Sequence, residues 1–271
     1  FVVQRIRDLI EEGTDPSEIA VLYRAHFHSM ELQMELTRGE IPFRITSGIR
    51  FFEQAHIKDV VAFMRFVVNP KDELSFRRMV MLLPGIGPGM AQKLWIRWTA
   101  CPESRLETPP ESFSALMLDF PVPAKSKTAW TQLCYTLDEL APAGKIAGPA
   151  SMLISINEAV YDEYMQAAFE NYDQRRQDLL HLAGFSERFE STEDFLSQLS
   201  LLGNTDDESA AADLSGGAVT LSTIHQAKGL EWSVVFLIGL CDGMFPHQRV
   251  IDDGDLAGLE EERRLFYVGI T

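Results

Sequence analysis

The chain has 271 residues, of which 46% are hydrophobic in type and 24% charged, a mixture that supports a buried core and excludes a disordered or fibrous polypeptide. Its 24 basic and 40 acidic residues leave a formal net charge of −16, so a generally basic nucleic-acid coat is excluded. A local positive face is not, because a phosphate feels charge only within about one Debye length, ~8–10 Å. At about 150 residues per domain the length predicts two domains. Cys101, Cys134 and Cys241 lie far apart without paired spacing, which indicates neither a disulfide framework nor a zinc site and suits a reducing, cytoplasmic setting. No stretch approaches the ~18 apolar residues of a membrane span. A start at Phe1 with neither methionine nor a signal peptide suggests a piece of a longer protein.

In chain order, Ile6, Leu9 and Ile10 share one side of a helix predicted over residues 3–12, which Gly13 stops. The uninterrupted apolar run from Ile19 to Tyr23 reads as a strand covered on both faces. A second helix is predicted from about Ser29 to Thr37, ending at Gly39, and a second strand over Ile41–Thr46. This alternation is that of a parallel α/β sheet. From His56, apolar residues recur at three and four up to Val68, and Asn69-Pro70 closes that helix. Between roughly Pro84 and Ser200 the spacing is helical throughout (Met90, Leu94, Trp98; Leu153, Ile156, Val160), interrupted at Pro109-Pro110 and Pro121–Pro123. The acidic, small-residue run Asn204–Asp213 reads as a solvated linker ending at Gly216-Gly217. Strands return at Ala218–Ile224 and Val234–Leu240. The simplest architecture is one α/β domain interrupted by a helical insertion and then resumed.

Chemistry-bearing residues concentrate after the third strand, where Thr223, His225, Lys228, Gly229 and Glu231 occupy a loop between two strands. Ligands of open α/β sheets gather beyond the carboxyl ends of strands, which makes His225, Lys228 and Glu231 candidates by placement, although polar loop residues are common. The pattern Thr223-x-His225-x-x-Lys228-Gly229-Leu230-Glu231 resembles motif V of superfamily 1 DNA helicases of the UvrD/Rep/PcrA type. Three further segments fit in order: Leu22-Tyr23-Arg24 resembles the start of motif IV, Asp242–His247 the segment after motif V, and Glu260–Thr271 the first part of motif VI. Similarity also runs through Phe51-Phe52, Ile57–Asp59 and Asn69-Pro70.

The resemblance implies a RecA-like, P-loop NTPase-type parallel sheet interrupted by a mainly α-helical inserted domain. Residues 1–83 and 214–271 would form the second motor domain, and residues 84–213 the accessory insertion. The parent would be an ATP-dependent helicase that moves on single-stranded DNA and unwinds duplex, with ATP and Mg²⁺ bound between this domain and an N-terminal motor domain absent here. No Gly-x-x-x-x-Gly-Lys-Ser/Thr phosphate loop occurs: Gly144-Lys145 is followed by Ile146 and has Glu139 where the first glycine belongs. The fragment alone is therefore expected to be inactive.

By resemblance, Arg24 is the catalytic arginine that reaches the γ-phosphoryl group. A guanidinium at a strand's end can stabilise the charge spread over such a group, although an arginine there can also simply pair with a carboxylate. Tyr23 would stack on adenine, Glu231 would accept from ribose hydroxyls, and Gly229 would let the backbone approach the nucleotide closely. Thr223, His225 and His247 would face single-stranded DNA, where an imidazole can stack on a base or donate to a phosphate. Lys228 reads either as a loop anchor or as a phosphate contact. Gly85-Ile86-Gly87-Pro88-Gly89 enters a helix bearing Lys93 and Arg97, and its amides suit a duplex phosphate, with Gly85 and Gly87 as contacts, unless it is a plain helix start. Trp95 and Trp98 read as core. Asp162-Glu163 imitates the family's magnesium-binding pair, but helical spacing before it makes it a charged helix face, so no metal site is assigned.

Two departures stand out. Ala25–Met30 replaces the family's usual motif IV continuation, and the sequence stops at Thr271, ahead of the motif VI arginine. Arg263 and Arg264 read as helix anchors. Alternatives are a non-catalytic duplex-DNA or protein-binding module, and part of a helicase-nuclease subunit.

Overall fold

The computed structural model describes residues 1–46, 51–105, 107–203, 217–246, 248–252 and 254–271. They divide into two compact units, Phe1–Phe51 with Leu201–Thr271, and Phe52–Ser200.

The first unit is built on four parallel strands, β1 (Ile19–Tyr23), β2 (Phe43–Ile45), β3 (Val219–Thr223) and β4 (Val234–Leu237), in the spatial order β2-β3-β1-β4. Val21 pairs with Leu221 on one side and with Phe236 on the other, so β1 sits inside the sheet, as its unbroken apolar run predicts. Its side chains alternate between two cores. Ile19, Val21 and Tyr23 pack with Ile6 of helix α1 (Val2–Glu11) and with Leu32 and Leu36 of α2 (Met30–Arg38). Ala20 and Leu22 face the other way, onto Ile224, Ala227, Phe245 and Leu265. Burying each such aliphatic side chain contributes ~1.5–3 kcal/mol, so the two covered faces give this short sheet its main support.

The second unit is helical: α3 (Ala55–Val68), α4 (Glu73–Met81), α5 (Pro88–Thr99), α6 (Phe113–Met117), α7 (Lys127–Leu140), α8 (Pro149–Ile156), α9 (Asp162–Ala168), α10 (Tyr172–Ser186) and α11 (Thr192–Gly203), whose last residues run into the first unit. An aromatic cluster of Phe66, Phe76, Trp95, Trp98 and Phe113 forms part of its core, and the Trp98 indole donates to the Pro70 carbonyl at 2.8 Å. Trp95 and Trp98 are core residues, as predicted. A π-helical turn, Asn157–Tyr161, joins α8 to α9 and lets the Tyr161 hydroxyl donate to buried Asp59 at 2.7 Å; Arg78 donates to the same carboxylate at 2.7 Å.

The unit boundary falls at 51/52, whereas the sequence reading set it at 83/84. Helix α3 packs on α4, α7, α8 and α10, so the segment 52–83 belongs with the helices. The reading's other junction, 213/214, the linker Asn204–Asp213 and Gly216 lie outside the described residues. No helix among the described residues is long and apolar enough to cross a membrane. Beyond the sheet, two helices complete the first unit: α12 (Gln248–Asp252) and α13 (Leu256–Ile270). Asp255 caps α13 by accepting from the Ala257 amide at 3.1 Å. Glu262, Leu265 and Gly269 recur on its inner face. A Cβ on Gly269 would stand 3.2 Å from Leu237 of β4, so the glycine permits this close seating.

Candidate functional site

The carboxyl ends of β1 and β3 lie side by side, since Tyr23 pairs with Thr223. The residues that follow these strand ends, Arg24 and Ile224-His225, therefore start from neighbouring points on one edge of the sheet.

Arg24 is partly open, with 26% of its side chain exposed, and is held from α13. Its Nε donates to the two carboxylate oxygens of Glu262 at 2.9 and 3.1 Å, and its Nη2 donates to Oε1 at 2.7 Å. Glu262 itself is only 5% exposed. Of the two readings left open for Arg24, the structure shows the carboxylate pairing, with about a quarter of the side chain left exposed. Sequence reading passes over Glu262. The signal for it was the helical phase that groups it with Leu265 and Gly269 on a buried face.

His225 is exposed at the start of the loop. Partial burial of its ring, followed by nearby Arg24, pushes the imidazole below its ordinary value, against an upward pull from Glu262 and Glu261. The ring is therefore neutral at pH 7, suited to stacking or to a single donated hydrogen bond. Thr223 is buried; its hydroxyl bonds Gln226 Oε1 at 3.2 Å, and its carbonyl accepts from the Gln226 and Ala227 amides at 3.0 Å. That turn shapes the loop before it reaches Lys228, which is exposed. His247 lies outside the described residues.

Tyr23 requires a correction. It is fully buried among the residues of the sheet core, and its ring meets only the edge of His26, at 6.1 Å between centroids. Burial pushes its phenol up to about 12, with the nearby Ser29 hydroxyl drawing it part of the way back. No face of the ring is open to a base in this form, because odd-numbered β1 side chains point into the α1–α2 core. The stacking on adenine that the resemblance implies is at odds with this burial.

Gly229 and Glu231 are exposed on the loop leading to β4. Because β4 runs parallel to β1, this loop crosses from the carboxyl edge of the sheet to its amino edge. Ser233 there donates to Glu18, which precedes β1. Glu231 thus stands towards the opposite edge from Arg24. Gly229 has φ +83° with open space around its Cβ position, so the glycine answers a backbone requirement rather than a steric one. Gly229→Ala is expected to cost about 1–2 kcal/mol, read as a lowered thermal midpoint.

In the helical unit, Gly85 has φ +81°, and a Cβ there would collide with the Lys125 side chain, 1.9 Å from its Cε. The Ser126 hydroxyl fixes the turn by donating to the Pro84 carbonyl at 2.6 Å. Gly87 caps α5 through its backbone, with Pro88 in the first turn, and Lys93 and Arg97 are exposed further along. Asp162 opens α9 and engages Gln166, Tyr172 and Arg176, the surroundings of a charged helix face. Among the described residues, no group of three or more His, Cys, Asp or Glu is gathered to hold a metal ion. Arg263 and Arg264 form exposed pairs with Glu260 and Glu261 one turn back on α13.

Comparison with known proteins agrees with this geometry. The UvrD-like helicase C-terminal domain matches residues 1–105 and 156–271. The chain is 32% identical over its whole length to DNA helicase II of Escherichia coli, 33% to ATP-dependent DNA helicase PcrA of Bacillus subtilis, and 32% to a probable DNA helicase II homologue of Rickettsia conorii. It spans 38%, 37% and 41% of those proteins, respectively. A parallel sheet ending in Arg24 and the 223–231 loop, completed by the helix of residues 256–270 and matched across both segments that build it, makes this chain a member of the UvrD-like helicase C-terminal domain family.

Proposed function

We propose that this chain is the C-terminal motor region of an ATP-dependent DNA helicase that moves along single-stranded DNA and unwinds duplex in the cytoplasm. It would work with an N-terminal motor domain of the same protein, which supplies the phosphate loop and the ligands for Mg²⁺. The observation that carries the reading is Arg24, an arginine with 26% of its side chain exposed, directly after the carboxyl end of an internal parallel strand. ATP supplies the γ-phosphoryl group, and Arg24 supplies donors for the charge that spreads over its oxygens.

The other roles rest on the likeness of the motifs. Gly229 and Glu231 serve the nucleotide's sugar side, on the loop beyond β3. Thr223 shapes the start of that loop, and His225 together with His247 meets the single strand. In the helical unit, the turn of Gly85 and Gly87 offers amides to a duplex phosphate. The sheet unit, which by its packing comprises residues 1–51 and 201–271 rather than 1–83 and 214–271, acts as the second motor domain, and the helices act as its accessory domain.

The chain alone lacks half of the cleft, so a magnesium-dependent phosphate-release assay on purified protein should remain at blank level, while the intact protein turns ATP over and is stimulated by single-stranded DNA. Robust turnover by the isolated chain would overturn the division of labour. An intact protein that binds duplex but never hydrolyses ATP would point to a non-catalytic binding module.

A further inference from the structure

Helix α13 carries three successive carboxylates, and they do not share one environment. Glu260 and Glu261 are exposed and pair with Arg263 and Arg264. Glu262 faces inward, on the side of the helix that Gly269 seats against β4, and its charge is compensated by Arg24. A carboxylate buried to that depth is costly unless paired and hydrogen-bonded. Here it accepts three hydrogen bonds from one guanidinium.

The geometry of that contact is informative. A guanidinium has five N–H groups in a planar fork. Glu262 takes the one on Nε and one on Nη2. Three remain on the side turned away from Glu262, and the side chain is open enough to present them. A lysine at this point would bring a charge without a fixed plane.

We propose that Glu262 is the positioning residue for Arg24: it fixes the plane of the guanidinium beyond the carboxyl end of β1, so that the three remaining N–H groups face the γ-phosphoryl oxygens. The proposal rests on the nucleotide reading of Arg24 given above and adds the residue that makes it effective. Glu262 touches no substrate; it acts through Arg24. Its removal leaves the arginine in place but loosens its orientation, and a misplacement of about 1 Å in a catalytic group costs ~10²-fold in rate.

The test uses the intact protein at saturating single-stranded DNA, with Glu262→Gln, Arg24→Ala and the double variant. Glu262→Gln keeps the shape and loses the charge. It is expected to lower kcat for ATP by ~10–100-fold with little change in KM, since the interaction lost is one made in the transition state. In the Arg24→Ala background the same change is expected to cost nothing more, because the group it orients is gone. A thermal unfolding transition that lies wholly above the assay temperature establishes that each variant is folded during the measurement. If Glu262→Gln does not fold at the assay temperature, Glu262→Asp takes its place, with the charge kept and the fork displaced, and the same results are expected. Unchanged kcat in the Glu262 variant beside an impaired Arg24→Ala overturns the positioning role, as do losses that multiply in the double variant. Full turnover by Arg24→Ala overturns the nucleotide reading itself, and the positioning role with it.

Discussion

Arg24→Ala in the intact protein is expected to lower ATP turnover by ~10³-fold or more, the scale on which phosphoryl-transfer enzymes depend on a charge-stabilising arginine. That factor corresponds to at least ~4 kcal/mol of lost transition-state stabilisation. Affinity for single-stranded DNA should stay within a few-fold, because the strand contacts are assigned to His225, His247 and the surrounding loop. A second effect must be separated from the first. Removing the guanidinium strands the Glu262 carboxylate at 5% exposure, and breaking a buried pair in this way costs up to ~3–5 kcal/mol of stability unless the acid takes up a proton. Arg24→Lys separates the two, since it returns a positive charge to Glu262 but not the planar fork. It should restore the thermal midpoint and leave turnover slow. Turnover of Arg24→Ala within two-fold of the parent, measured by steady-state phosphate release, would remove Arg24 from the catalytic machinery.

The largest purely structural effect is expected at Trp98. Its side chain is fully buried, with Phe66 edge-on at 5.5 Å and Phe113 stacked at 5.9 Å, and its indole N–H occupies the Pro70 carbonyl. Trp98→Ala removes the ring from a close-packed cluster and leaves that carbonyl without its donor. The expected loss is ~3–5 kcal/mol, which for a unit of this size lowers the melting midpoint by roughly 10 °C. Trp98→Phe keeps most of the volume and loses the hydrogen bond, so it should cost only ~1 kcal/mol. The check is thermal unfolding followed by circular dichroism. An unshifted midpoint for Trp98→Ala would mean that the aromatic cluster does not hold the helices together.

Much of this organisation was legible in the residues. β1 was found because a buried parallel strand is apolar at every position, β3 because its residues are mostly β-branched, and the helix after His56 because its three-and-four spacing is unbroken. β2 is shorter than its apolar run, since Pro42 has no amide hydrogen to give and only its carbonyl joins the sheet, accepting from Val219 at 3.0 Å. β4 ends early because the chain turns soon afterwards at Gly239, with φ +74°. Membership of helix α3 in the helical unit could not be read from spacing, which shows that a helix has an apolar face but not what covers it. At the site, the strand-end position of Arg24 was visible, while two facts were not. The burial of Tyr23 was implicit in the alternation of β1 but was set aside in favour of the motif. Glu262 was hidden in a run of acids that resembles a solvated surface, and only its helical phase distinguishes it.

The interleaving of the sheet bears on how the protein is made. β1 and β2 are not paired with each other; among the described residues, every strand they pair with, β3 or β4, comes from beyond residue 218. Val21 must wait for Leu221, about 200 residues later, and at ~5–20 residues per second a ribosome takes roughly 10–40 s to supply it. Throughout that interval the two earliest strands are nascent chain with unsatisfied edges, while the intervening helices, whose contacts are more local, already have what they need to fold.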